Sequence, residues 1–202
     1  MKRTKEEAAV TRENLLQASL AVFGRKGFEA ATLEDVAREA GVTRGAIYWH
    51  FGSKTELFNA LMEKYSSRGS DILQRAAAEG GNFNDILRRV FTWMLLAVET
   101  DSELRSMMEI SLFKTGYISD SEDWRVRQVE NSRALVNAVA GAMKQGIEAG
   151  ELRRDLDPIV AARAFLAYQN GIIYLWLSDP SSFTLGAYAD QLAEIYLKGV
   201  KA

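Results

Sequence analysis

The chain has 202 residues and a net charge of −2, so it can bury a core in one or two domains and is not a uniformly basic protein. It contains no cysteine, which excludes a disulfide framework, a thiolate metal site and a cysteine nucleophile and fits a reducing compartment. The opening MKRTKEEAAV is charged and no apolar run is long enough to span a bilayer, so we expect neither a secretory leader nor a membrane anchor, and a cytoplasmic location.

A first helix is predicted over about residues 11–25. Leu16, Leu20 and Phe23 recur at spacings of four and three residues, which places them on one face of a helix. Gly27 then provides a helix stop. Similar spacings recur along the whole chain and only two prolines occur, so an all-α protein is favoured over a β-sandwich or an α/β fold.

Two short helix patterns joined by a glycine turn follow, in the sequence TLEDVAREAGVTRGAIYWHF at residues 32–51. Thr32 is placed to cap the first of these helices, with Asp35 in the reciprocal position of a capping box. Gly41 provides the left-handed backbone that ends it, and Thr43 is placed to cap the second helix, from which Ile47 points inward. Such a pair is a helix-turn-helix, whose second helix lies in the major groove of DNA.

This second helix carries side chains that suit DNA. Arg44 lies in its first turn, where a guanidinium can pair with guanine O6 and N7, and Gly45 permits a close approach to the groove. Tyr48, Trp49 and His50 offer three hydrogen-bond donors to phosphate oxygens. Three alternatives stay open. Gly45 can instead serve packing between helices, Trp49 can pack against the first helix, and a lone histidine can be structural.

A fourth helix is predicted to begin at Ser53, with Glu56 completing a capping box, and to fade near Ala78. Lys54, beside the positive end of this helix, is a candidate phosphate ligand. Thr32 and Thr43, besides capping their helices, are candidates for a hydrogen bond to a phosphate. The candidate DNA contacts are Thr32, Thr43, Arg44, Gly45, Tyr48, Trp49, His50 and Lys54.

Five further helical stretches are predicted, over residues 84–100, 102–114, 121–149, 158–177 and 182–200. The chain is therefore expected to have about nine helices, with an N-terminal three-helix DNA-binding domain over residues 1–54 and a second helical domain over residues 55–202. No flexible linker separates the two, so the fourth helix must couple them. Basic residues exceed acidic ones by two up to Lys54, and the remainder carries a net charge of −4, which fits DNA binding through one end.

The sequence VTRGAIYWHFGSKTEL at residues 42–57 resembles the TetR family of bacterial transcriptional repressors, and the similarity covers roughly residues 11–57. The resemblance implies a homodimer with an N-terminal DNA-binding domain and a larger domain that binds a ligand and dimerises. The stretches ETD at 99–101, MEI at 108–110 and AYQNGIIYLWLSDPSSF at 167–183 are similar to the multidrug-efflux branch of the family.

Aromatic and methionine side chains cluster on helical faces of the second domain, where core packing is the ordinary role and an adaptable apolar pocket is the alternative. Gln169 and Asn170 interrupt an otherwise apolar helix. The resemblance implies that Glu109, Phe113 and Asn170 line a drug pocket, whereas an internal hydrogen-bond network would also explain such polar groups. The candidate ligand contacts are Trp93, Glu109, Phe113, Phe165, Gln169 and Asn170.

The last two predicted helices carry much apolar surface. The resemblance implies that they pair with their copies in a four-helix dimer interface, and the alternative is that they close the core of a single protomer. A two-fold dimer would place two recognition helices about 34–36 Å apart, on successive major grooves of a palindromic double-stranded operator.

The helix-turn-helix predicts a DNA-binding regulator, and the resemblance implies a ligand-responsive repressor that controls an efflux-pump operon and is released by a hydrophobic small molecule. The alternatives are a local repressor or activator of a metabolic operon and an enzyme that uses the second domain's pocket. The enzyme is disfavoured because cysteine is absent, the single histidine lies in the DNA motif, and no G-x-G-x-x-G or phosphate-loop pattern occurs. We expect no catalytic residue, metal or cofactor.

Overall fold

The computed structural model of the protein describes residues 5–114 and 122–202. Within them the backbone forms nine α-helices and one π-helical segment, and the β-type pairing is limited to a single bridge between Leu152 and Lys201. None of these helices has the length and apolar character needed to cross a membrane. The all-α prediction is confirmed. The elements are α1 (Lys5–Ala30), α2 (Leu33–Glu39), α3 (Arg44–His50), α4 (Lys54–Ala78), α5 (Phe83–Thr100), α6 (Ser102–Glu109), the π segment (Ile110–Lys114), α7 (Glu122–Glu148), α8 (Pro158–Ser178) and α9 (Leu185–Val200).

Helix ends differ from prediction where a distant residue acts as the cap. α9 begins at Leu185, later than predicted, because its N-terminal N–H groups are satisfied by α5. The Glu99 carboxylate accepts hydrogen bonds from the backbone N–H groups of Leu185 and Gly186 at 2.9 and 2.8 Å. Thr184, at the N-cap, makes no side-chain cap hydrogen bond. A carboxylate is well placed there because the N-terminus of a helix is its positive end.

The predicted capping box of α4 forms with a shifted partner. Ser53 Oγ accepts a hydrogen bond from the Glu56 N–H at 3.1 Å, as expected. The Glu56 carboxylate, however, accepts from the Gly52 N–H at 3.0 Å, one residue before the reciprocal position. In α1, Gly27 interrupts the helix with φ 75° and ψ 164°, a conformation that glycine adopts readily.

Contacts divide the described residues into two compact units that are not consecutive in sequence. Unit 1 comprises the described parts of Met1–Arg68 and Glu103–Ser121, and unit 2 those of Gly69–Ser102 and Glu122–Ala202. This division differs from the predicted domain boundary between residues 54 and 55, because the first part of α4 and the π segment pack against α1.

Three phenylalanines form the centre of unit 1. Phe23 and Phe28 of α1 and Phe58 of α4 have ring centroids 5.0 to 5.8 Å apart, and Phe23 and Phe58 are completely buried. In α3 the buried residue is Ile47, with no exposed surface. The recognition helix is therefore anchored in unit 1 through Ile47, with the half-buried Ala46 and His50 beside it. Its exposed residues are Arg44, Gly45, Tyr48 and Trp49.

Unit 2 is held together by an aromatic cluster at the contact of α5, α8 and α9. Phe165 packs edge-to-face against Phe91 and Tyr196, at centroid distances of 5.9 and 5.4 Å. The Tyr196 hydroxyl donates to the Ala161 carbonyl at 2.9 Å. Burial raises the pKa of Tyr196 to about 12, so the hydroxyl stays protonated and keeps this donor role.

Candidate DNA-binding surface

The ends of α2 and α3 are fixed by the caps that the sequence predicts. Thr32 Oγ1 accepts the Asp35 N–H and the Asp35 carboxylate accepts the Thr32 N–H, both at 3.1 Å, so the capping box is confirmed. Gly41 has φ 67°, which ends α2 in the left-handed region. Thr43 Oγ1 accepts the Ala46 N–H at 3.3 Å. Both threonine side chains therefore serve the backbone, and their contact with phosphate stays a prediction.

Asp35 also joins α2 to α1 through charge. Its carboxylate lies 2.8 Å from the Lys26 ammonium, accepts the Thr32 hydroxyl at 2.9 Å and pairs with Arg38. The hydrogen bonds from Lys26 and then from Thr32 hold the pKa of Asp35 well below its ordinary range. Asp35 is therefore ionised whenever this arrangement exists, and it connects the helix-turn-helix to α1.

We predict that Asp35→Asn lowers the stability of the protein at pH 7 and that this difference shrinks in acid. A carboxyl whose pKa is lowered by folding stabilises the native state above its ordinary pKa, near 3.9, and this contribution is lost as the pH falls towards the lower native value. Urea unfolding at several pH values from 7 to 2 measures the difference. Asp71→Asn, at an exposed carboxylate of α4, is the matched control. A gap between Asp35→Asn and parent that stayed constant with pH would contradict the prediction.

The outward face of α3 brings together the predicted DNA contacts. The Arg44 side chain is 65% exposed, and its guanidinium carbon lies 5.6 Å from the centre of the Tyr48 ring. Trp49 is 72% exposed, which excludes the alternative that it packs against α1. An exposed indole of this size on a two-turn helix is unusual for a surface that faces water alone. The face can offer a guanidinium, a hydroxyl and an indole N–H to an anionic partner.

Gly45 and His50 lie at the edges of this face. A Cβ atom at Gly45 would meet one atom within 4 Å, Thr43 Oγ1 at 3.9 Å, so packing within the chain does not require glycine there. This favours the interpretation that its small size serves approach to a partner. His50 is half-buried, and its ring packs edge-to-face against Trp49 at 4.5 Å. It therefore supports the position of Trp49, and a phosphate contact stays a prediction.

Lys54 has surroundings that the sequence did not predict, since its side chain turns back into unit 1. Its Nζ donates hydrogen bonds to the backbone carbonyls of Phe28, Glu29 and Ala31, at 2.8, 3.0 and 3.0 Å. An ammonium has three N–H donors, and here all three are used inside the protein. A phosphate contact would require the ammonium to leave these three carbonyls, and it stays a prediction.

An acidic neighbour of Arg44 was not predicted. The Glu34 carboxylate of α2 lies 3.6 Å from the Arg44 guanidinium, and both side chains are mostly exposed. Such exposed ion pairs contribute about 0–1 kcal/mol, so the pair orients Arg44 without holding it strongly. The spacing of ten residues carried no signal, because the contact depends on the angle between α2 and α3.

The predicted ligand residues are divided between the two units. Glu109 of α6 and Phe113 of the π segment belong to unit 1, where Glu109 is half-buried and Phe113 is exposed. The other four belong to unit 2. These are Trp93 of α5 and Phe165, Gln169 and Asn170 of α8.

Within unit 2 these four residues have different surroundings. Phe165 is part of the buried aromatic cluster, and the buried Gln169 donates from Nε2 to the Phe91 carbonyl at 3.4 Å, as the internal-network alternative expects. Trp93 is half-buried and lies under the guanidinium of Arg75, at 5.4 Å. Asn170 is exposed, on a different side of α8 from Gln169.

Comparison with known families identifies the fold. Residues 15–61 match the family described as bacterial regulatory proteins, tetR family, and residues 82–201 match the C-terminal region of MAATS-type transcriptional repressors. The chain belongs to the TetR family. The predicted resemblance is confirmed, and this TetR-family protein is a helix-turn-helix transcriptional repressor. Membership of a family of transcriptional regulators also weighs against the enzyme alternative.

Individual relatives of this TetR-family protein are similar over nearly its whole length. The HTH-type transcriptional regulator AcrR of Shigella flexneri is 32% identical, over 97% of this chain and 94% of AcrR. NalD, the secondary repressor of the MexAB-OprM multidrug efflux pump in Pseudomonas aeruginosa, superposes with a TM-score of 0.82 at 28% identity, covering 98% of both chains. SmeT, the repressor of the Stenotrophomonas maltophilia multidrug efflux pump SmeDEF, has a TM-score of 0.82 in its triclosan complex, at 27% identity over 96% and 92% of the two chains.

Proposed function

We propose that this protein represses an efflux-pump operon in the cytoplasm, binds a palindromic operator as a homodimer, and is released by a hydrophobic small molecule. The observation that carries the proposal is α3, which is anchored by the buried Ile47 and presents Arg44, Tyr48 and Trp49 to the outside. The control of efflux pumps by NalD and SmeT supports the choice of operon. The triclosan complex of SmeT supports the choice of ligand.

On the operator, Arg44 reads a base edge, while Tyr48, Trp49 and His50 contact phosphates. To bind DNA, Arg44 leaves Glu34, and the small contribution of an exposed ion pair means that this exchange costs little. When Arg44 leaves, the Glu34 carboxylate stays near an anionic backbone, so the exchange is favourable only where the contact between Arg44 and a base outweighs this repulsion. Specificity for the operator thus depends on the contact between the Arg44 guanidinium and a base edge.

The dimer is proposed to form through the outward face of α8 together with α9. This outward face is defined by Val160, Ala164, Ala167, Gly171 and Leu175, which are all exposed in the single chain. They recur every three or four residues, so they form one stripe, and their mostly small size lets another helix approach closely. On α9, Tyr188 and Ile195 are exposed as well. The opposite side of α8, with Ala162, Phe165, Ile172 and Ile173, closes the protomer's own core.

The ligand contacts are proposed on Glu109 and Phe113 of unit 1, and Trp93 of unit 2 is a separate candidate. Phe165 and Gln169 already have partners in the core of unit 2 and are not proposed as direct contacts. The exposed Asn170 adjoins Gly171 on α8, so we assign it to the dimer surface instead. A ligand acts by binding one of two conformations more tightly, and a coupling of about 1–3 kcal/mol, or 5- to 150-fold in operator affinity, is ordinary.

A mobility-shift experiment tests the proposal. The full chain is titrated onto the DNA upstream of its own gene at 50 and 200 mM salt, with and without triclosan. We expect a shifted complex that weakens steeply with salt and is released by triclosan. The alternative of a metabolic regulator would be favoured if the DNA precedes a metabolic operon and the complex is not released by triclosan or other hydrophobic compounds. No complex at 50 mM salt would contradict the assignment of its own promoter as the operator.

Arg44→Ala is predicted to weaken operator binding by about 1–3 kcal/mol, because one bidentate base contact is lost. Fluorescence anisotropy with a labelled operator measures the change. Arg133→Ala removes an exposed arginine from α7 and is the control for charge alone. The two variants are also compared on unrelated DNA, where Arg44→Ala should differ far less from the parent. Equal operator affinity for Arg44→Ala and parent would remove Arg44 from the reading surface.

A further inference from the structure

Arg12 of α1 is an exposed basic residue that lies at the end of the recognition helix. Its guanidinium carbon is 5.2 Å from the centre of the Phe51 ring, and Phe51 is the buried C-cap of α3. Phe51 directly follows His50, and the centroids of these two rings are 6.3 Å apart. Arg12 therefore joins α1 to the end of α3 that carries Tyr48, Trp49 and His50.

The contact with Phe51 leaves the hydrogen-bonding groups of Arg12 free. A guanidinium has five N–H donors in its plane, and the attraction of its charge to an aromatic face uses none of them. Within the described residues, Arg12 makes no ion pair and no side-chain hydrogen bond. The adjacent carboxylate, Glu13, is engaged by Lys64 of α4. The ring thus holds the guanidinium at a fixed place without neutralising it.

Other basic side chains of the same helices are neutralised by acids. Four of them pair with a carboxylate of unit 1: Arg25 with Glu39, Lys26 and Arg38 with Asp35, and Arg44 with Glu34. Arg12 differs because its partner is an uncharged ring. An ordered guanidinium with unused donors suits a phosphate group, which it can bind through two parallel hydrogen bonds.

A purely structural role for Arg12 makes a different prediction. The C-terminus of a helix is its negative end, so a cation beside Phe51 also suits α3 itself. The last turn of α3 already has a basic residue of its own, His50. If Arg12 served α3 alone, removing its charge would change stability and leave the salt dependence of DNA binding unaltered.

We propose that Arg12 is a further DNA contact, through which α1 binds a backbone phosphate beside the end of α3. The inference rests on the proposed DNA binding by α3 and extends that surface onto α1. Phosphate contacts fix the position of a protein on the duplex without reading its sequence. Arg12 therefore strengthens binding to every DNA sequence, whereas Arg44 strengthens binding to the operator.

Arg12→Met and Arg12→Lys test this contact through the salt dependence of binding. For Arg12→Met, which keeps an apolar side chain over Phe51, the slope of log affinity against log salt should fall by about 0.9 for each bound protomer. The DNA upstream of the protein's own gene and an unrelated duplex of equal length should weaken by the same factor, at least about threefold. Arg12→Lys keeps the charge and should retain the parent's slope. Arg133→Met, at an exposed arginine of α7, is the matched control and should bind as the parent does.

Two results would overturn the proposal. One is a parent-like salt slope for Arg12→Met, whatever its operator affinity. The other is a loss confined to the operator, since a phosphate contact cannot distinguish sequences. Arg44→Ala, measured alongside, separates this inference from the proposed function. If Arg44→Ala weakens operator binding and Arg12→Met keeps the parent's slope, α3 binds DNA and α1 does not, whereas a parent that binds neither duplex would overturn both.

Arginine labelling of the parent protein gives a result that does not depend on the folding of a variant. Phenylglyoxal treatment followed by mass spectrometry should modify Arg12 readily in the free protein, because its guanidinium is exposed. Either duplex should slow this modification at least about fivefold, and Arg133 should react at the same rate with and without DNA. If Arg12 reacted equally fast in both states while Arg44 was protected, the proposal would be overturned.

Discussion

Leu175→Glu is expected to give a folded monomer that no longer holds its operator. Leu175 is 64% exposed in the single chain, so the substitution does not disturb the core of unit 2. In a two-fold interface the same surface of each protomer meets its copy, so two carboxylates enter the contact together. Burying charges without partners costs about 3–5 kcal/mol, which corresponds to a dimer at least about 100-fold weaker.

The loss of dimer should be visible in both assembly and DNA binding. Sedimentation or light scattering across a concentration series gives the dimer dissociation constant, and circular dichroism confirms that the helices remain. Leu135→Glu, at a leucine of α7 that is 53% exposed, is the matched control and should remain dimeric. The monomer can occupy one half-site only, so its operator affinity should fall to that of a single recognition helix. If Leu175→Glu had the same dimer dissociation constant as the parent, the interface would lie away from the outward face of α8.

The helix-turn-helix was predictable because its determinants are local. The pair Thr32 and Asp35 is three residues apart, and so is the pair Thr43 and Ala46, and each cap is complete within one helical turn. Gly41 needs only its own backbone freedom to end α2. Burial of Ile47 followed from helical spacing. Sequence therefore determines both the motif and the side of α3 that remains outside.

Contacts between distant parts of the chain could not be predicted in the same way. Lys54 binds carbonyls 23 to 26 residues earlier, and Glu99 caps a helix 86 residues later. A lysine beside a helix N-terminus has the same sequence pattern whether it faces DNA or a neighbouring helix. Only the packing of α4 against α1 decides between the two, and that packing depends on the Phe28 and Phe58 rings.

The polar pair in α8 shows a second limit. Gln169 and Asn170 are neighbours in sequence, and both interrupt an apolar run. Successive residues of a helix point about 100° apart, so one can face the core while the other faces outward. The structure buries Gln169 against the Phe91 carbonyl and exposes Asn170. Without knowing which face of α8 meets α5, the sequence could not separate a core amide from a surface amide.

Phe58→Ala is expected to destabilise unit 1 by about 3–5 kcal/mol, the usual cost of removing a large buried aromatic side chain. Phe58 has no exposed surface and meets Phe28 and Phe23 at 5.0 and 5.8 Å, so its removal leaves a cavity between α1 and α4. The edge-to-face geometry of both ring pairs adds to what is lost. Because a typical domain is stable by only about 5–15 kcal/mol, the helix-turn-helix would lose a large part of its support.

Urea denaturation followed by circular dichroism measures this loss, and Trp49→Ala provides a contrast, since it removes an even larger aromatic side chain that is exposed. Trp49→Ala should change the free energy of unfolding by about 0.5 kcal/mol or less while weakening operator binding. Phe58→Ala should lower the free energy of unfolding and leave operator affinity close to that of the parent. This comparison is made at low temperature, where the protein that remains folded still presents an intact α3. Phe58→Leu fills much of the cavity and should lie between parent and Phe58→Ala. If Phe58→Ala lowered the free energy of unfolding by less than about 1 kcal/mol, α1 and α4 would have moved together to fill the cavity. Lys54 would then contribute more to the contact between α1 and α4 than the aromatic rings do.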